Sequence, residues 1–294
     1  MHILSRRSGS NGRINQIIVI FVDKTNTLTE NNMRKIMILA AALLMAVACG
    51  QTKEQKTLVL YYSQTGTTQV VAEAIQQNLG ADIEAIALVN PYDGDYGSTI
   101  ARGQKEMQEN AYPELLPIQA DLSKYDVVFI GFPIWFGTYA NPIETLLNTV
   151  DFSGKTVVPF CTFGSGGLNT SSKAVTEKLA DSKVLPGYGV RAARISAAGE
   201  EVKRFLLEGG FIEGEFEPYA EFSETRPATE EETAIFDAAV STYPMIQAKA
   251  TQVASRPIPT GTEYIFTADD RQGTVQIIVL AEEGKAPEFT QVLR

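Results

Sequence analysis

The strongest constraint on this chain is an alternation running from residue 57 to about residue 210, in which a short apolar run is followed by a helical stripe five times over. Residues 57–62 (TLVLYY) form the first apolar run. Val71, Ile75 and Leu79 then recur at four-residue spacing within 66–79, one face of a helix. Residues 83–88, 126–132, 155–161 and 189–195 read as further strands, and 99–109, 141–150, 171–179 and 200–208 as further helices. Asn141 is placed to cap its helix, with Pro142 at the first helical position. Strands apolar on both faces belong in a parallel sheet covered by helices. Crossovers are right-handed, so the expected fold is α/β, a doubly wound five-stranded parallel sheet. No G-x-x-x-x-G-K is present, and residues 164–169 (GSGGLN) miss G-x-G-x-x-G at the last position. The dinucleotide-binding strand order is therefore not favoured, and 2-1-3-4-5 is expected.

Composition narrows the chemistry. Acidic side chains number 35 against 25 basic, a net charge of -10, which argues against non-specific nucleic-acid binding. The only histidine is His2 and the only cysteines are Cys49 and Cys161. Histidine-based triads, Cys/His zinc sites and a disulfide framework are thereby excluded. Cys161 ends a strand and reads as a core thiol.

Upstream of the body, Met33-Arg34-Lys35 opens a basic segment, residues 36–48 carry no charge, and Ala46-Val47-Ala48 precede Cys49. That is the pattern of a secretory signal. The apolar stretch is too short to span a bilayer, which takes about 20 residues. The cysteine after small residues resembles a bacterial lipobox, implying cleavage before Cys49 and lipid attachment to its sulfur. Residues 1–48 are read as a leader whose true start is Met33, and 49–56 as a tether. The product is expected in the bacterial cell envelope, membrane-anchored through its lipid. Removing the leader leaves 19 basic against 33 acidic residues, a net of -14.

Three loops carry candidate chemistry. The first, Ser63-Gln64-Thr65-Gly66-Thr67-Thr68, sets four hydroxyls around a glycine at a helix start. Fanned N–H groups at a helix N-terminus hold phosphate without Lys or Arg; the plain alternative is a Ser/Thr cap, which needs one hydroxyl. The second, residues 131–139, carries Pro133, Ile134, Trp135, Phe136 and Gly137 and includes the only tryptophan. Large rings on a loop imply a flat partner, unless Trp135 simply roofs the core. The third, residues 162–167, contains Thr162, Phe163, Gly164, Gly166 and Gly167, whose glycines allow close backbone approach to a planar ligand or merely make a flexible turn. In a 2-1-3-4-5 sheet the three loops converge at the carboxyl ends of the strands, where ligands of such sheets sit. A mononucleotide with a large flat ring fits that combination.

On these residues the chain resembles the flavodoxin family. YYSQTGTT (61–68) looks like its FMN-phosphate loop, and GFPIWFGTYANPIETLL (131–147) and PFCTFGSGGLNTSS (159–172) look like its two ring-facing loops. The resemblance implies a flavodoxin-like fold over 57–212 and FMN as cofactor. It implies phosphate contacts from the 63–68 loop, with 133–137 walling the ring and 162–167 meeting its edge. Electron transfer follows, to a redox partner protein or with NAD(P)H or a quinone. The alternatives are an NAD(P)H-dependent reductase of quinones or small acceptors, and a non-redox binding lipoprotein that kept the fold.

The tail is a second unit. Residues 213–232 hold eight glutamates with Pro218 and Pro227, and 213–228 read as a solvated acidic linker. Thr229 and Glu232 predict a capping box for a helix to about Ser241. Strand-like runs follow at about 249–255, 262–267, 274–281 and 289–293. Residues 229–294 are thus expected to form a small α+β domain, with a faint resemblance to cystatin-like folds at 250–268. The expected role is to dock a partner or cover the flavin mouth.

Overall fold

The computed structural model describes residues 55–293 except Gln272, and these belong to one compact unit. The expected leader, the expected start at Met33 and the expected lipidation at Cys49 all fall outside the described residues.

The first sheet comprises β1 (Thr57–Tyr61), β2 (Asp82–Ala85), β3 (Val127–Trp135), β4 (Thr138–Tyr139), β5 (Thr156–Phe163), β6 (Lys183–Val184) and β7 (Tyr188–Arg191). Between them run α1 (Thr67–Leu79), α2 (Tyr96–Glu109), α3 (Asn141–Thr149) and α4 (Leu168–Lys178), with α5 (Ala198–Glu208) after β7. The order is β2-β1-β3-β5, then β6 and β7 in turn along the far edge of β5, all parallel. This is the expected 2-1-3-4-5 arrangement, with its fifth position broken in two. Pro186 lies at the break and has no N–H for the ladder.

Alternate strand residues face opposite cores, as the two-residue strand period requires. Leu58, Leu60, Val128, Ile130, Phe132 and Val157 bury against Ile143, Leu146 and Val175 of α3 and α4. Val59, Phe129, Val158 and Phe160 bury against Val71, Ala72 and Ile75 of α1 and Val202 and Leu206 of α5. Each fully buried apolar side chain of this kind contributes about 1.5–3 kcal/mol.

Some local expectations are corrected. The second strand ends at Ala85; Leu88 makes only an isolated bridge to Leu115. The fifth strand stops at Arg191 and turns into a short 3-10 segment, Ala192–Ala197. β3 runs on to Trp135 and folds back as a hairpin with β4. Asn141 does not cap α3: the cap residue is Ala140 with no side-chain bond, and the Asn141 amide turns inward to the Gly103 carbonyl at 2.9 Å.

The second sheet is antiparallel, in the order β12-β11-β10-β9-β8, with β8 (Arg226–Pro227), β9 (Lys249–Ile258), β10 (Gly261–Asp270), β11 (Gly273–Glu282) and β12 (Glu288–Leu293). Helix α6 (Glu230–Ser241) lays Phe236, Ala239 and Val240 on Phe266, Ile277, Val279 and Phe289. The Thr229/Glu232 capping box is formed, and Glu232 also takes both arms of Arg226, at 2.8 and 2.6 Å. That pairing holds the Glu232 carboxyl down to about 2. In the acidic linker the glutamates are exposed, but Phe216, Tyr219 and Phe222 are not. Arg204 lies 4.9 Å from the Phe216 ring centre and 3.5 Å from that of Tyr219, and Arg256 lies 4.3 Å from that of Phe222. A charge run read as wholly solvated is instead strapped down by the aromatics spaced through it.

Candidate functional site

At the end of β1, Gly66 is the cap residue of α1 with φ 86, a left-handed conformation that glycine adopts without strain. Gly66 itself has no side chain with which to cap the helix. The Ser63 hydroxyl accepts the Gln69 N–H at 3.3 Å, and the Thr65 and Thr67 hydroxyls lie 3.2 Å apart. The N–H groups of Thr67 and Thr68 have no acceptor among the described residues. Open donors with hydroxyls at a helix N-terminus make an anion site.

Two members of this loop turn elsewhere. Thr68 is buried, and its hydroxyl meets the buried Thr162 hydroxyl at 2.8 Å, tying the first loop to the third. The Gln64 amide donates to the Tyr92 carbonyl at 2.8 Å and its oxygen accepts from Tyr62. Those two tyrosines hold Trp135 between them. Its ring centre is 6.0 Å from Tyr62 and 5.1 Å from Tyr92, nearly perpendicular to both. Behind them Glu106 accepts from Tyr92, from Asn141 at 2.8 Å and from Arg102 at 2.8 Å. Burial raises both tyrosine hydroxyls far above their usual range, and the Glu106 bond raises Tyr92 further. Both therefore remain protonated donors.

The hairpin tip, Phe136 at φ 51 and Gly137 at φ 85, needs two positive φ values in succession. For a bulky residue such as Phe136 that is strained, and such strain concentrates at ligand clamps. The Phe136 ring sits over Gly103 of α2, where an added Cβ would lie 3.1 Å from it.

The third loop departs most from expectation, because its glycines make their close approaches to protein. An added Cβ at Gly164 would lie 3.0 Å from the Tyr243 hydroxyl, at Gly166 2.3 Å from the Val292 carbonyl oxygen, and at Gly167 2.7 Å from Ile134. Phe163 and Thr162 are buried below. Arg191, also buried, donates to the Gly164 carbonyl and the Phe289 carbonyl, both at 2.9 Å. A crevice of about 180 Å³ opens where Gly137, Ser165 and Gly167 meet Gln291 and Leu293. Cys161 is a free, fully buried thiol whose pKa burial pushes up, so it is inert.

Sequence reasoning missed Tyr62, Tyr92, Arg102, Glu106, Asn141 and Arg191. Asn141 was legible only as a helix cap and Tyr62 only as part of the first apolar run; the packing of the group around Trp135 depends on contacts between segments far apart in sequence.

The fold is that of a doubly wound α/β protein, with its crevice at the carboxyl ends of the strands, where ligands of such sheets sit. The family model described as flavodoxin matches residues 56–205, and the chain belongs to the flavodoxin family. A curated relative, an NAD(P)H dehydrogenase (quinone) of Gluconacetobacter diazotrophicus, is 33% identical over 95 residues, covering 31% of this chain and 44% of the relative. The chain thus matches less than half of that relative's length. Among solved structures, a candidate flavoprotein from Bacteroides eggerthii is 31% identical, covering 50% of this chain and 98% of that one with a TM-score of 0.43. A flavoprotein in complex with FMN from Lactobacillus acidophilus is 27% identical, covering 50% and 99% with a TM-score of 0.42. Family membership makes FMN the cofactor. The residues present fit it: open helix-end donors would hold the phosphate, Trp135 and the hairpin would face the ring, and main-chain groups of the third loop would meet its edge.

Proposed function

We propose that this chain is an exported, lipid-anchored FMN protein that transfers electrons to or from a redox partner reaching the crevice. The observation that carries the reading is the first loop, where uncapped helix-end N–H groups and the Ser63, Thr65 and Thr67 hydroxyls surround Gly66 without any Lys or Arg. FMN supplies the redox chemistry when bound. This chain's residues hold its phosphate, orient its ring and exclude water from part of its edge. No histidine occurs among the described residues that line the crevice, which suits electron or hydride transfer better than hydrolysis.

A second reading, NAD(P)H-dependent reduction of quinones or small acceptors, is favoured by the name of the Gluconacetobacter relative. That reaction would use the same site, with a nicotinamide reaching the ring.

The test is a visible spectrum of purified residues 50–294 with added FMN. Flavin bands and quenching of the single tryptophan are expected; a colourless protein that ignores FMN overturns both readings. Steady NAD(P)H oxidation with a quinone by the purified protein would select the second. The anchor is tested separately: Cys49→Ser is expected to move the protein from the membrane fraction to the soluble one.

A further inference from the structure

The C-terminal unit touches the first sheet where the flavin edge would lie. Strand β12 runs parallel to the third loop, bridging Val292 to Gly166, and the Val292 N–H donates to the Ser165 carbonyl at 2.7 Å. One residue earlier the Gly164 carbonyl accepts from Arg191 Nε, whose other arm takes the Phe289 carbonyl of β12. The Arg191 guanidinium also stacks 3.4 Å from the Phe289 ring centre. It has no carboxylate within salt-bridge distance among the described residues. A buried cation spent on two carbonyls from two units is a costly arrangement unless it fixes something.

Peptide geometry says what it fixes. In a trans peptide the C=O and N–H point in opposite directions. No cis bond is present among the described residues. With the Gly164 carbonyl held by Arg191 and the Ser165 carbonyl by Val292, the N–H groups of Ser165 and Gly166 are turned away from those partners. Neither N–H has an acceptor among the described residues. Each also belongs to a peptide whose carbonyl is already hydrogen-bonded, which strengthens it as a donor.

We propose that the C-terminal unit is part of the flavin site: β12 and the positioning residue Arg191 latch the third loop so that the consecutive Ser165 and Gly166 N–H groups face the carbonyl-bearing pyrimidine edge of FMN. Flavin binding and latch closure are then coupled, and the coupling is reciprocal. The proposal rests on the FMN reading above.

The experiment uses the whole chain from residue 50, with two variants. Arg191→Lys keeps a charge but loses the two-armed bridge. Val292→Pro deletes the latch N–H from an edge strand, at a position facing away from β11. FMN affinity is measured by fluorescence titration, and amide hydrogen exchange of β12 with and without FMN. In the unsubstituted chain, FMN is expected to slow exchange at Val292 and its neighbours while leaving the β9–β10 turn unchanged. Each variant is expected to weaken FMN about tenfold and to lose that FMN-dependent protection. A merely structural Arg191 would lower stability without uncoupling β12 protection from FMN. FMN-independent exchange in β12 of the unsubstituted chain, or either folded variant binding FMN with unchanged affinity, overturns the latch. An unsubstituted chain that binds no FMN overturns the FMN reading itself, which is a different result from FMN binding without protection.

Discussion

The phosphate loop and the glycine loop both sit at carboxyl ends of parallel strands, yet their shapes come from different parts of the chain. Residues 63–68 take their turn from within, since Gly66 supplies the left-handed residue, Ser63 meets the Gln69 N–H and α1 begins at once, while Gln64 and Thr68 tie the loop to its surroundings. Residues 164–167 are shaped from outside, by Arg191, Tyr243 and Val292. The first loop is a local motif and the third is an interface. A local motif is preorganised by its own sequence, whereas an interface loop is only as ordered as its partner.

The largest effect is expected from a charge placed in the first loop. Thr65→Glu should weaken FMN more than about 100-fold, roughly 3 kcal/mol, because a carboxylate would occupy the anion's donors and repel its charge. Isothermal titration would show it; near-normal affinity would mean the phosphate lies elsewhere. The link between the two loops comes next. Thr68→Val or Thr162→Val alone strands a buried hydroxyl, at a cost of about 1–3 kcal/mol in thermal or urea unfolding. The double variant should recover much of that loss. Purely additive losses would show that the two loops are not joined through this pair.

The C-terminal unit supplies a pH test. Glu232 has its folded pKa lowered to about 2 by the Arg226 bond and the capping bonds. A lowered carboxyl stabilises above its unfolded value, near 4.5, and loses that contribution as pH falls toward about 2. Glu232→Gln should therefore cost about 1–2 kcal/mol near neutral pH, a cap-sized loss. The melting curves of variant and unsubstituted chain should converge as pH drops from about 4.5 to 2. A gap that is constant with pH would rule out the ionised pair as its source. The smallest effect is expected at the hairpin tip. An added Cβ at Gly137 would meet nothing within 4 Å, so Gly137→Ala pays only for its φ of +85, about 1 kcal/mol. A much larger loss would reveal a contact at the tip that only the bound ring makes.

Much of the fold was legible because its determinants are short-range. Val71 and Ile75 mark α1 by spacing alone, and both are fully buried. The Thr229–Glu232 box announced α6, and four tail strands followed from alternation and turns. Where local reasoning failed, a distant group had intervened. Asn141 stands where a cap belongs, but Gly103 and Glu106 offer its amide a buried partner. Phe216, Tyr219 and Phe222 sit among glutamates, but Arg204 and Arg256 draw them down.

The sequence by itself determined the doubly wound sheet, the converging loops and the hydroxyl-rich helix start at residues 63–68. Period, capping and loop chemistry act within a few residues, so one stretch of chain states them completely. Only the tertiary structure decided what the third loop's glycines approach, that Arg191 is buried against them, and that β12 forms part of the crevice wall. Those contacts join residues such as Ser165 and Val292, which no periodicity relates. They exist because two sheets meet edge to loop, and main-chain groups that meet across such a distance in sequence leave no mark on side-chain pattern.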